Sequence, residues 1–275
     1  MRTSGPADGL RRDRQYLSSG WRLEAVGAGA SILARYGEVE RVVDVVVRAT
    51  GPEGLYYRSL YAATYLVRID AAGAKPLELF VKIYDPPRGI AALKRIVRGG
   101  RAANVLRMIA MLQRRGFGTP QAVLKGSHAA SGRTMLVTLR AEGVPLPQVL
   151  QCKEDATVRR HELIRALGAE VARLHQCGFV HGDLTPDNIF VAQQKPPRFI
   201  FLDHDRTRIA FPAGRRYRQL RNLVQLGRFG LPGISNLDRL GFFNAYAHGL
   251  GRVRKRAMLR RIAAMLARRR RKDAR

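Results

Sequence analysis

The chain has 275 residues, 46% of them hydrophobic, which suits a globular core in one large domain or two small ones and excludes a disordered chain. Its 50 Lys and Arg against 21 Asp and Glu give a formal net charge of +29, which favours polyanionic partners: nucleic acid, anionic lipid headgroups or a phosphorylated glycolipid. No apolar run of about 18 residues could span a bilayer, and Cys152 and Cys177 have neither metal-ligand spacing nor a disulfide framework, so a reduced cytoplasmic setting is expected.

The first residues, MRTSGPADGLRRDRQY, lack the apolar segment of a secretory signal, and residues 1–30 are expected to form an N-terminal extension. VVDVVVR (42–48), YAATYLVRID (61–70) and LELFVKIY (77–84) are rich in β-branched and aromatic residues. Turn-like GPEG and AAGAKP separate them, so three antiparallel strands are predicted. From Pro86 to Ala141 there is no acidic residue. Within that stretch RAANVLRMIAMLQRR (101–115) sets Val105, Met108, Ile109 and Leu112 at helical spacing, and Gly116 follows as a stop. MLVTL (135–139) reads as a strand and RAEGVPLP as a break. A helix is predicted over about 157–176, ending before Gly178. The apolar strand FIFLD (199–203) comes next, and everything after about 215 has helical character. The sequence contains no internal repeat.

Strands with one helix, followed mostly by helices, predict an α+β protein of two lobes joined near 138–145. The boundaries fall at 31–137 for a small lobe, 138–250 for a large lobe and 251–275 for a basic terminal helix.

Between the long helix and FIFLD lies HGDLTPDNIF (181–190). Asn, Asp and Pro can shape a turn by geometry alone. Alternatively, Asp183 and Asn188 aim oxygen atoms at a metal and a substrate hydroxyl. The carboxylates of this basic chain gather here and in FLDHDR, which favours chemistry. Asp203 ends the next strand, 15 residues beyond Asn188.

FVHGDLTPDNIFV followed by FIFLDHD resembles the catalytic core of the protein-kinase-like phosphotransferases. That resemblance implies a bilobal kinase-like fold using ATP and Mg²⁺, with Asp183 as the catalytic base and Asn188 and Asp203 as metal ligands that help bind the nucleotide. Mg²⁺ takes hard oxygen ligands, which these side chains offer. ARLHQCGFVHGDLTPDNIFV, FLDHDRTR and LRNLVQLGRFGLPGISNLDRLGFFNAYAHG are more narrowly similar to the lipopolysaccharide kinases, which phosphorylate a Kdo or heptose sugar of the inner core. RGFGTPQAVL (115–124) resembles their small-lobe helix-to-strand passage, and the likeness spans roughly residues 40 to 250.

Lys82, in LFVKIY, fits the strand lysine that binds nucleotide phosphates in such enzymes; alone, it reads equally as a surface lysine on an edge strand. TGPEGLYYRSLY lacks G-x-G-x-x-G, which leaves backbone amides from Gly54 to Ser59, with Arg58, to cover phosphates. The family pattern departs at the helix, since RAANVLRMIAMLQRR has no acid to pair with Lys82, and Asn104 or Val105 stands in that place. Glu78 shares the strand face of Lys82, yet four residues put it about 13 Å away. Glu38, Glu40 or Glu53 could substitute; otherwise Lys82 is held differently, or the chain is a catalytically impaired pseudokinase that binds a membrane or partner. His175 and His181 come without HExxH or paired Cys, so zinc is not expected, and His181 is assigned to loop support. Asp205 either assists the site or pairs with Arg206.

The tail from Gly251 holds 12 basic residues and one acid. Met258, Leu259, Ile262, Met265 and Leu266 share one helical face, and Arg254, Arg261 and Arg268 lie along another. Such a helix can dock on the large lobe, attract an anionic membrane, or both. No aromatic platform or nucleic-acid fold accompanies the charge, so nucleic acid is not the expected partner. The expected activity is phosphorylation of a lipopolysaccharide core or lipid-A-linked precursor at the cytoplasmic face of the inner membrane. Its rivals are the pseudokinase and another kinase of the same fold, such as an aminoglycoside phosphotransferase.

Overall fold

A computed structural model describes residues 15–71, 74–86, 100–151, 156–194, 196–228, 234–251 and 253–273. The first 14 residues and Cys152 lie outside the described residues. Two compact units are present: residues 1–104 with 121–140, and residues 105–120 with 141–275.

The first unit is built on a seven-stranded antiparallel sheet. Its strands are β1 (Gln15–Ser18), β2 (Trp21–Ala25), β3 (Leu55–Arg58), β4 (Ala62–Ala71), β5 (Ala74–Tyr84), β6 (Ala122–His128) and β7 (Thr134–Leu139), in the order β1-β2-β6-β7-β5-β4-β3. Alternation sets its register. Tyr65, Val67 and Ile69 of β4 stand opposite Val81, Leu79 and Leu77 of β5, and all six are buried on one face. Residues 15–25, inside the stretch set apart by sequence as an extension, supply two of the strands. Ser19 and Gly20 turn their hairpin with φ of 47° and 80°, the primed geometry that suits strand twist.

The buried face is covered by two helices, α1 (Gly29–Leu33) and α2 (Val39–Arg48). Here the expectation of a strand over VVDVVVR is overturned. Val42, Val43, Val46 and Val47 are buried at helical spacing while Val45 and Arg48 are exposed. Burying a full valine stripe against the sheet outweighs the modest helix penalty of β-branched residues.

The next helix, α3 (Arg101–Arg114), leaves the first unit after Asn104, and its Leu112 belongs to the core of the second. The second unit is mostly helical. It contains β8 (Val144–Pro145), α4 (Leu146–Gln151), α5 (Ala156–Gln176), β9 (Phe179–Val180), β10 (Ile189–Gln194), β11 (Pro197–Phe201), β12 (Arg208–Ile209), α6 (Pro212–Arg228), α7 (Asn236–Gly249) and α8 (Lys255–Asp273). Strands β11, β10 and β8 form one small sheet, and β12 pairs with β9. Helices α5 and α7 pack so closely that a Cβ at Gly168 would lie 2.4 Å from the Phe242 carbonyl oxygen. Ser235 and Asp238 cap α7 reciprocally, and Asp238 is also ion-paired with Arg160 at 3.3 Å. Helix α8 docks through buried Met258 and half-buried Ile262 and Met265, leaving Arg254, Arg261 and Arg268 exposed.

Candidate active site

Helix α5 ends at Gln176, and β9 carries the chain into the loop that holds the motif. Two buried hydrophobic residues, Leu184 and Ile189, fasten this loop to the core, and a single 3₁₀ turn spans Pro186–Asn188. Asp183 and Asn188 are half-buried, whereas Asp187 is exposed. The Asn188 side-chain nitrogen donates to the Asp183 backbone carbonyl at 2.9 Å. That bond fixes the amide's orientation by its nitrogen and leaves Oδ1 as the atom that can accept.

Asp203 lies two residues beyond β11, not at its end. Its backbone is left-handed, with φ 54° and ψ 72°, a conformation that aspartate tolerates better than most residues. The segment around it is tied to the loop. The Leu202 amide donates to the Asn188 carbonyl at 2.8 Å, and His181 Nε2 donates to the Leu202 carbonyl at 2.8 Å. The Thr207 hydroxyl donates to the His181 carbonyl at 3.2 Å. Gly182 has φ +79°, and a Cβ there would meet the Arg206 carbonyl oxygen at 2.5 Å, so only glycine fits between Asp183 and this segment. His181 thus supports the loop, as its position suggested. Burial lowers its imidazole below the ordinary value, against the Leu202 bond and the negative charges of Asp203 and Asp183. Both carboxylates lie near enough to act on one buried ring.

A second layer was not foreseen from sequence. Asn222, on α6, is 1% exposed. Its Oδ1 accepts from the His181 amide at 3.0 Å and from His175 Nε2 at 3.2 Å, while its Nδ2 donates to Gln225 Oε1 at 3.0 Å. Gln225 Nε2 in turn donates to the Gly182 carbonyl at 2.9 Å and lies 3.5 Å from Asp183 Oδ1. His175 Nδ1 accepts from the Tyr246 hydroxyl at 2.8 Å. Burial pushes the His175 imidazole down to about 4, so it is neutral, with its proton on Nε2. The signal existed in the sequence only as the polar residues Gln219, Asn222 and Gln225, set three apart along one helix.

In the first unit, Lys82 is half-buried on β5 between Thr64 and Leu136 of the flanking strands, with its Nζ 5.7 Å from the Tyr84 ring centroid. It is a central-strand residue, not an edge one. Glu78 is taken by Arg140, at 3.0 Å. Glu38, Glu40 and Glu53 form no ion pair among the described residues. The Ser59 hydroxyl accepts from the Ala62 amide at 3.1 Å and the Ser59 amide donates to the Ala62 carbonyl at 2.8 Å, so both of its groups close the β3–β4 turn. Arg58 is exposed. Arg206 forms no ion pair with Asp205.

Among the described residues no group of three or more His, Cys, Asp or Glu side chains could hold a metal ion. The oxygen-bearing side chains of this segment are mixed: the Asn188 amide oxygen and the carboxylates of Asp203 and Asp183. Hard oxygen donors with few carboxylates fit Mg²⁺, which keeps several waters. An apolar cavity of about 210 Å³ also exists in the second unit, lined by Leu146, Ile164, Leu223 and Phe242 among others. Asp183, Asn188 and Asp203 do not line it, so it is not where the polar chemistry sits.

The family model described as the lipopolysaccharide kinase (Kdo/WaaP) family matches residues 94–246. A comparison with curated proteins finds no match.

Proposed function

Because the chain belongs to the lipopolysaccharide kinase (Kdo/WaaP) family, we propose that it transfers phosphate from ATP, with Mg²⁺, to a heptose or Kdo hydroxyl of the lipopolysaccharide inner core. Membership makes it a kinase acting in lipopolysaccharide synthesis; the sugar acceptor, ATP and Mg²⁺ are what the family likeness implies, and the residue roles are inferred from the site. The observation that supports the residue roles is the Asn188–Asp183 bond, which orients the Asn188 amide against the backbone of the loop that carries Asp183.

Asp183 accepts the proton of the sugar hydroxyl, and Gln225 keeps its loop from drifting. Asn188 Oδ1 and the Asp203 carboxylate would hold the metal. Bound magnesium would neutralise charge on the transferring phosphates. Lys82 and Arg58 would supply positive charge to the nucleotide phosphates. Positioning and charge stabilisation account for most of the rate in such transfers. The exposed arginines of α8 would draw the chain to the anionic cytoplasmic face of the inner membrane, where a lipid-A-linked acceptor resides. Among the described residues no helix is long and apolar enough to cross a membrane.

The test is ATP-dependent labelling of core oligosaccharide by purified chain. Asp183→Asn should lower turnover by about 10²-fold or more; equal rates would remove Asp183 from the mechanism. A second reading, an impaired kinase that binds a membrane or partner, is favoured by the absence of any acid in α3. It predicts thermal stabilisation by Mg·ATP without phosphate transfer to any glycolipid.

A further inference from the structure

Two arginines on the segments that hold the Asp183 loop, Arg206 and Arg221, have no role assigned above. Arg221 lies four residues before Gln225 on α6, hence one turn away on the same side of the helix, where Cβ atoms are about 6 Å apart. Gln225 is the residue that touches the Asp183 loop. Arg206 approaches from the 3₁₀ turn His204–Arg206 that follows Asp203, its own Cβ 2.9 Å from where a Gly182 Cβ would stand. Both arginines are exposed, and neither makes an ion pair or hydrogen bond among the described residues. By contrast Arg215, on the same helix, is spent on the His175 and Gln176 carbonyls at 2.8 Å each.

The geometry points to an oxyanion-binding pair, Arg206 and Arg221, flanking Asp183 and holding a phosphate or carboxylate of the acceptor beside the hydroxyl to be phosphorylated. This rests on the kinase reading above and adds what the acceptor must carry. Charge on the nucleotide is met in that reading by the metal, Lys82 and Arg58. The base stands where the acceptor hydroxyl docks, so cations around the base meet the acceptor. Two exposed guanidinium groups on the segments that hold the base, without ion pairs or hydrogen bonds among the described residues, would gain little from a neutral sugar. They match an oxyanion in charge and in planar, bidentate geometry.

The experiment measures acceptor and ATP KM for wild type, Arg206→Gln, Arg221→Gln and Arg221→Lys, with Arg48→Gln as a charge-matched control on α2. Each glutamine variant should raise acceptor KM about ten-fold, Arg221→Lys less, with ATP KM unchanged. Repeating the series with phosphatase-treated and with carboxyl-reduced acceptor identifies the oxyanion, because removing it abolishes the difference between wild type and variant. An acceptor KM unmoved by both substitutions, a rise in ATP KM instead, or a difference that survives on both treated acceptors overturns the pair. A wild type that phosphorylates no core sugar fails the kinase reading separately. Fluorescence anisotropy with labelled core oligosaccharide still reads the pair in that event, and equal binding by wild type and Arg221→Gln rejects it.

Discussion

Gln225 Nε2 donates to the Gly182 carbonyl across 43 residues of sequence and, at 3.5 Å, also reaches Asp183 Oδ1. One carboxamide therefore links helix α6 to the residue assigned as base. Gln225→Leu keeps the size of the side chain and removes both links. Turnover should fall about ten-fold through misplacement of Asp183, while the melting temperature drops by only a few degrees. Steady-state kinetics with thermal melting separates the two, and an unchanged kcat would show that the loop holds itself.

Asn222 is the more costly site to lose. Asn222→Leu strips a buried acceptor from the His181 amide and from His175 Nε2–H, leaving two orphaned donors. At about 1–3 kcal/mol for each unsatisfied group, a loss of about 3 kcal/mol is expected. Urea denaturation at neutral pH should show it as a lowered midpoint with an unchanged slope.

Acid should weaken the second unit well above the carboxylate range. His175 titrates near 4 when folded and near 6.5 when unfolded. Between those values the unfolded chain holds more protons, so stability is full above about 6.5 and declines as pH falls toward 4. The decline attributable to His175 is about 3 kcal/mol. Asp238 adds a second loss at lower pH. Burial would raise its carboxyl, but the Ser235 amide and hydroxyl, His161 and Arg160 hold it below the ordinary value, and stability drops as it protonates. Denaturant midpoints measured from pH 7 to pH 4 for wild type and His175→Gln check this, with the variant expected to show the flatter curve.

Gly182→Ala introduces a methyl group 2.5 Å from the Arg206 carbonyl at a positive φ. Strain of about 1–3 kcal/mol is expected, and relief by shifting the 203–207 segment should cost activity more than stability. A variant with wild-type turnover would contradict the packing.

The place of the polar loop was legible because its residues sit in one short stretch with fixed spacing. Asp183 and Asn188 lie in one loop, joined by the Asn188 bond to the Asp183 carbonyl, and Asp203 follows a strand that its short apolar run reveals. Helix α2 was misread because its valines carry strand preference one by one, while their burial spacing expresses the helix. The pair β1 and β2 was passed over, although the Ser19–Gly20 turn between two alternating stretches is a hairpin signal. Asn222 and Gln225 could not be assigned from sequence. Their meaning depends on His175 and Gly182 coming to them through tertiary folding, and no local pattern encodes that meeting.

The backbone of Asp203 separates two quantities that mutagenesis usually confounds. Asparagine is at ease in the left-handed region and alanine is not. Replacing Asp203 with asparagine therefore neutralises the side chain while preserving the local chain path, whereas alanine disturbs both at once. The fall in kcat from wild type to asparagine reads the loss of charge with the chain path kept, and the further fall to alanine reads the loss of the remaining oxygen together with the change of path.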